Sequence, residues 1–192
     1  LYELTKGMDF DKEFIEQLVK QDQRAFNEFY LQTVDMFFRY LNSNFFLSKE
    51  DAEDIVSDFY VKRWNTVKKY NFKQSFSAFV WTVFKNLVKD SFKKQKDISF
   101  SSFDYEDWQS FEENIEDDFD VFELLETDFQ FKQIEDAMKQ LDLESRELIY
   151  LKFIEEKDNM EIADILQISN DNVRQKLSRS LKKLKSLLTN NT

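Results

Sequence analysis

The chain has 192 residues with no cysteine, no histidine, no proline and one glycine, which excludes disulfides, thiolate nucleophiles, imidazole bases, the usual zinc ligands and a glycine-rich phosphate loop. Its formal net charge of −11 argues against nucleic acid, yet the charge is uneven. Residues 97–131 hold 13 acidic groups and no basic one, so the remainder sums to +2.

A hydrophobic content of 42% is enough to bury real cores. The near-absence of Gly and Pro predicts helices joined by short polar turns, hence an all-α fold. No apolar run of about 18 residues is present, and the opening LYELTKGMDF lacks the apolar core of a secretion signal, so a cytoplasmic chain without membrane insertion is expected.

In chain order, a short helix covers about Phe10 to Lys20, and a longer one begins near Asp22, whose carboxylate is placed to cap the amides of Arg24 or Ala25. Phe26, Phe29, Tyr30, Val34, Phe37, Phe38 and Leu41 keep helical spacing up to a turn at 42–47. Ser48 opens a third helix with Asp51 three residues on, an approximate capping box. Ala52, Ile55, Val56, Phe59, Tyr60 and Trp64 face inward there, and Glu50, Glu53, Asp54, Asp58 and Lys62 face out. Those acids suit a solvated face or a docking surface for basic groups, and spacing does not choose between the two. A two-metal carboxylate enzyme is the third reading of the same cluster.

A turn at 68–75 leads into the helix on which the first half is organised, Phe72–Lys96. At 100° per residue Phe76, Val80, Val83, Phe84, Leu87 and Val88 share one face, with Lys85, Lys89, Lys93 and Lys96 opposite. Trp81 lies on one border, and Phe79, Thr82 and Asn86 on the other. Rings and amides beside ammonium groups hold phosphate while meeting a base, although a core stripe with a solvated lysine face has the same spacing. The connector 97–131 alternates acids with Phe, Tyr and Trp; its charge density opposes independent collapse, so it is expected to be largely irregular.

From residue 132 helical spacing returns. Phe131, Ile134, Ala137, Met138 and Leu141 mark one helix, and Ser145, Leu148, Ile149, Leu151, Lys152 and Phe153 the next. Ile162, Ala163, Ile165 and Leu166 then make a short helix, Gln167 to Ser169 a tight turn, and Ser169 or Asn170 the cap of a helix with the stripe Val173, Leu177, Leu181, Leu184 and Leu188. This is a helix-turn-helix pattern. Arg174, Gln175, Ser178, Arg179 and Lys182 lie off the stripe, where Arg and Gln suit bidentate base contacts and Lys suits phosphate. An ordinary helical hairpin with a basic tail has the same pattern.

Asp22, Ala25, Phe26, Phe29 and Tyr30, then Ala52 to Val56 with Phe59, Lys62 and Trp64, then Phe72, Ser75, Phe76, Ala78 to Val80, Lys85 to Leu87 and Asp90 resemble region 2 of bacterial sigma factors. Leu141, Arg146, Leu151, Glu161 to Ala163, Leu166, Ile168, Ser169, Val173, Arg174, Leu177, Arg179 and Leu184 resemble sigma region 4. Having only these two regions, the chain is similar to the extracytoplasmic-function (ECF) group. Ser57, Phe79, Lys85, Asp142 and Ser180 depart from the common residues of that pattern.

The resemblance implies region 2 over residues 1–96, an acidic aromatic linker over 97–131 and region 4 over 132–192. It implies an alternative sigma factor, not itself an enzyme and with no cofactor or metal, that docks on core RNA polymerase. Glu53, Asp54, Asp58 and Lys62 would meet the beta-prime clamp helices, region 4 would touch the beta flap, and the linker would thread the active-site cleft and RNA exit channel. Lys73, Gln74, Ser75, Phe79, Trp81, Lys85, Asn86, Lys89 and Lys93 would hold the opened minus 10 promoter element. Arg174, Gln175, Ser178, Arg179 and Lys182 would read minus 35. An anti-sigma factor or a separate DNA-targeting recruitment protein is a further expected partner, since residues 132–192 carry 11 basic and 11 acidic groups and grip DNA modestly. The alternative is a helix-turn-helix regulator that acts without polymerase.

Overall fold

The structure is a computed structural model, and it describes residue 8 and residues 10–94 and 131–189. The described residues form eight α-helices and no strand. In the N-terminal bundle these are α1 (Lys12–Val19), α2 (Gln23–Phe45), α3 (Lys49–Asp58) and α4 (Phe76–Lys94); α3 runs on into a π-helical segment (Phe59–Arg63) and a 3-10 segment (Trp64–Lys69). The C-terminal bundle has α5 (Phe131–Lys139), α6 (Leu143–Ile149) with a π-helical segment (Tyr150–Ile154), α7 (Asn159–Leu166) and α8 (Asn170–Thr189).

Helix starts follow their caps. The Asp22 carboxylate accepts from the amides of Arg24 (2.9 Å) and Ala25 (3.0 Å), and Ser48 Oγ accepts from the Asp51 amide at 3.1 Å. Instead of closing a capping box, the Asp51 carboxylate accepts a hydrogen bond from the Ser48 hydroxyl at 2.6 Å. A full capping box does start α7, where Asp158 and Glu161 satisfy each other's amides. Helix ends show the scarcity of glycine. Gln21, Phe46 and Gln167 take the left-handed conformation at φ 63°, 52° and 58°, at a cost of about 1–2 kcal/mol each that the surrounding packing offsets.

The helix expected from Phe72 starts at Phe76. Phe72 sits at φ 60°, outside the helix, in a turn held by Tyr70, whose hydroxyl donates to the Gln74 carbonyl at 2.6 Å. The acidic connector, apart from Phe131, lies outside the described residues, as does Lys96.

Aromatic rings fill the N-terminal core. Phe37 stacks on Phe84 at 4.1 Å between ring centres, and Trp81 meets Phe37 and Tyr40 edge-on at 5.7 and 4.9 Å. In the C-terminal bundle α8 packs across α5, α6 and α7, burying Val173, Leu177, Leu181, Leu184 and Leu188, the stripe that the periodicity predicts. The bundles also pack on each other, α4 against α7 and α2 against α6, so that their buried residues join in one cluster.

Candidate functional site

Three helices carry the residues singled out in the sequence. On α3, Glu53 and Asp54 are exposed, and Lys62 pairs with Asp58 at 2.7 Å one turn on. Lys49 pairs with Glu53 at 3.6 Å. Sequence spacing missed the apolar part of this side of the bundle. Tyr30, Leu31 and Val61 are exposed, with Leu31 73% and Val61 71% accessible, and the Tyr30 ring lies edge-on to Tyr60 at 4.7 Å. The signal was available in Leu31 and Val61, which fall outside the apolar stripes of their own helices. Among the described residues no three acidic side chains converge to hold a metal ion.

On α8, Arg174, Gln175 and Lys182 are exposed and Ser178 and Arg179 half-buried, all clear of the buried stripe. Ser169 Oγ accepts from the Asn172 amide at 3.2 Å and so opens the helix, as its position suggested. Neighbouring acids hold part of the basic run: Asp171 pairs with Arg174 at 2.5 Å, Glu144 with Lys176 at 2.6 Å and Asp142 with Lys183 at 3.6 Å. Asp142 also caps α6. Burial pushes its carboxyl up, but the Ser145 amide and hydroxyl and the Lys183 charge outweigh this and hold it below its ordinary value.

On α4 the arrangement departs from the expectation. Lys73, Gln74, Ser75, Asn86, Lys89 and Lys93 are exposed and Phe79 is half-buried. Lys85, expected on the solvated face, is buried, with its side chain 10% accessible and its ammonium 2.9 Å from Glu147 of α6. Trp81, expected at a surface border, is fully buried. Ser77, Trp81 and Lys85 follow at four-residue steps on one face of α4, and that face is turned to the C-terminal bundle. Periodicity marks a lysine as polar; it does not reveal a carboxylate 62 residues away that takes it out of water.

Further contacts line the same seam. Tyr40 of α2 donates its hydroxyl to the other oxygen of Glu147. Arg39 lies 3.8 Å from Glu155, and the Tyr150 hydroxyl sits 2.8 Å from Glu155 and 3.3 Å from the Met36 carbonyl. Burial raises the Glu155 carboxyl above its ordinary value, opposed by Tyr150, Arg39 and Lys157, and burial likewise drives the Tyr150 phenol strongly up. At the far end the left-handed Phe46 presents its ring to Lys139 and Arg146, at 5.7 and 5.1 Å. Sequence reasoning passed over Tyr40, Glu147 and Glu155. The available hint was Glu147 itself, an acid directly before the apolar pair Leu148 and Ile149.

This arrangement has exposed acidic side chains on α3, exposed apolar ones on α2 and the π-helical segment, an exposed polar turn before a lysine-bearing α4, and a helix-turn-helix with its second helix outward. Comparison with known proteins finds two family models in this chain. The family model for sigma-70 region 2 matches residues 31–98, and that for sigma-70 region 4 matches residues 131–184. No curated protein matches the chain. Among solved structures, CnrH, in complex with the cytosolic domain of CnrY, is similar at TM-score 0.67 and 21% identity, over 95% of this chain and 99% of that one. The sigma factor RpoE, in complex with the anti-sigma factor NepR from Bartonella quintana, is similar at TM-score 0.60 and 18% identity, over 86% and 98%. At these identities the likeness speaks for the fold.

Proposed function

The chain belongs to the sigma-70 family, and on that premise we propose that it is an alternative sigma factor of the extracytoplasmic-function group and which of its residues do that work. Such a factor binds core RNA polymerase and directs promoter recognition and transcription initiation. In our reading residues 1–96 act as region 2, 97–131 as the linker and 132–192 as region 4. Glu53, Asp54, Asp58 and Lys62 form the clamp-helix contact. Lys73, Gln74, Ser75, Phe79, Asn86, Lys89 and Lys93 serve the minus 10 element, while Trp81 and Lys85 are buried and fall outside this set. Arg174, Gln175, Ser178, Arg179 and Lys182 serve minus 35.

The observation that carries this reading is the joint presence, in order, of a region 2 bundle with an acidic α3 face and a region 4 helix-turn-helix with a basic outward face. Catalysis belongs to the polymerase, and the working compartment is the cytoplasm; no helix among the described residues is long and apolar enough to cross a membrane. The similar RpoE structure holds the anti-sigma factor NepR, and a protein of that kind is the proposed further partner here.

The test is co-purification with core polymerase in the absence of DNA. Parent chain is expected to co-elute, and Asp54→Lys with Asp58→Lys to abolish co-elution while circular dichroism stays helical. A double variant that assembles normally removes the α3 face from the assignment. Failure of the parent chain to assemble favours a regulator that acts on DNA alone.

A further inference from the structure

The turn before α4 faces solvent, yet one side chain beneath it holds its backbone. Residues 71–75 are exposed, whereas Tyr70, just past the 3-10 segment, is 8% accessible. The Tyr70 amide donates to the Val67 carbonyl at 3.0 Å, which roots the residue in the bundle. Its hydroxyl reaches along the turn to the Gln74 carbonyl at 2.6 Å. Its ring centre lies 4.9 Å from that of Phe72, 5.1 Å from Phe76 and 5.3 Å from Phe79. Tyr70 therefore touches both arms of the turn and the first turn of α4.

We propose that Tyr70 is a positioning residue of the minus 10 site: with its hydroxyl on the Gln74 carbonyl and its ring against Phe72 and Phe79, it fixes Lys73 and Gln74 relative to Phe79 and so sets base discrimination there. This rests on the assignment of the turn to the minus 10 element.

A turn that reads bases needs such a tether. Telling one base from another relies on hydrogen bonds whose geometry tolerates little error, and side chains on a loop are placed less precisely than those on a helix. Here the backbone is also disposed to relax. Phe72 is a bulky residue at φ 60°, a conformation disfavoured for any side chain with a Cβ, and it persists only where surrounding contacts over-determine it. Two shorter contacts complete the frame. Asn71 Oδ1 accepts from the Lys73 amide at 3.1 Å, and Ser75 Oγ accepts from the Ala78 amide at 3.4 Å. Each holds one end of the turn, and the Tyr70 hydroxyl spans the residues between them. Order built into the free chain in this way need not be supplied when DNA binds, so the binding energy of Lys73 and Gln74 is kept for the bases they meet.

The tether is measurable without DNA or polymerase. Tyr70→Phe keeps the ring and removes only the hydroxyl. Trypsin cuts after Lys73 when the turn opens, and cleavage after the exposed Lys182 of α8 is an internal reference for wider unfolding. The rate at Lys73 relative to Lys182 should rise about fivefold in Tyr70→Phe, the scale of one neutral hydrogen bond. An unchanged ratio overturns the tether, whether both rates stay as in the parent or both rise together through a general loss of fold.

Discrimination is read with the full chain assembled on core polymerase. Enrichment from a pool of DNA fragments randomised at the minus 10 and minus 35 elements gives the preference profile of the parent, of Gln74→Ala and of Tyr70→Phe. Tyr70→Phe should flatten preference at a minus 10 position about fivefold, at a position that Gln74→Ala also flattens, and leave minus 35 preference as in the parent. A residue that only supported the fold would weaken binding to all fragments alike and leave the profile unchanged. If Gln74→Ala alters the minus 10 profile and Tyr70→Phe does not, the positioning role is overturned and the assignment of the turn stands. If neither variant alters it, the assignment of the turn fails and the proposal fails with it.

Discussion

Helices α4 and α8 look alike in sequence, each with a clean apolar stripe and lysines or arginines opposite, and they end up in different surroundings. The polar side of α8 stays outward, with Arg174, Gln175 and Lys182 exposed. Part of the polar side of α4 is taken up by a second bundle, with Lys85 on Glu147, and Trp81 is buried against Phe37 and Tyr40 of α2. Periodicity fixes which side of a helix meets its own core. It cannot say whether the other side meets water, because that depends on residues far along the chain.

This contrast is most severely tested by stability. Trp81→Ala should cost about 3–5 kcal/mol, as for a large buried ring with partial collapse of the site, and shift the urea midpoint accordingly. Arg174→Ala, on the exposed side of α8, should leave stability within about 0.5 kcal/mol and instead relax discrimination at one minus 35 base pair by about 1–3 kcal/mol, read from competition binding. A small stability loss for Trp81→Ala would put that ring at the surface and erase the difference between the two helices.

Within α4 itself the contrast sharpens between Lys85 and Lys89. Lys89 is exposed, so Lys89→Ala should weaken DNA binding evenly across sequences and reduce the salt slope by about 1, with the fold unaffected. Equal loss of stability in Lys85→Ala and Lys89→Ala would contradict their different burial.

The smallest expected effect is a pH dependence with two opposing parts. The Glu155 carboxyl is raised above its ordinary value in the folded chain, so the folded form binds that proton more tightly. Its contribution is therefore present at low pH and lost as pH rises through the raised value. Asp142 is depressed, so its contribution is present above the ordinary carboxylate range and lost as pH falls through the depressed one. Melting temperature should thus rise on mild acidification and fall on further acidification. Glu155→Gln should remove the rise, and Asp142→Asn the fall at the start of α6.

Much of the fold was legible because local rules decide it. Asp22 and Ser48 cap the helices they were expected to cap, and Val173 to Leu188 form the buried stripe of α8. The start of α4 was misread by four residues since Phe72 has an apolar side chain at helical spacing but a left-handed backbone. Exposure was legible at Asn86, Lys89, Arg174 and Gln175, which lie on the outward sides of their helices. It was not legible at Trp81, which packs against Phe37 and Tyr40 of α2, or at Lys85, which Glu147 takes up across the seam between bundles.

Transcription from a pool of genomic fragments tests the central claim most directly, comparing core polymerase alone with core polymerase plus the purified chain and mapping the 5′ ends of the transcripts. The account predicts a set of start sites that appear only with the chain and share spaced elements near minus 10 and minus 35, with the minus 35 preference altered by Arg174→Ala. Identical transcripts with and without the chain, under conditions where the two proteins co-elute, would contradict it.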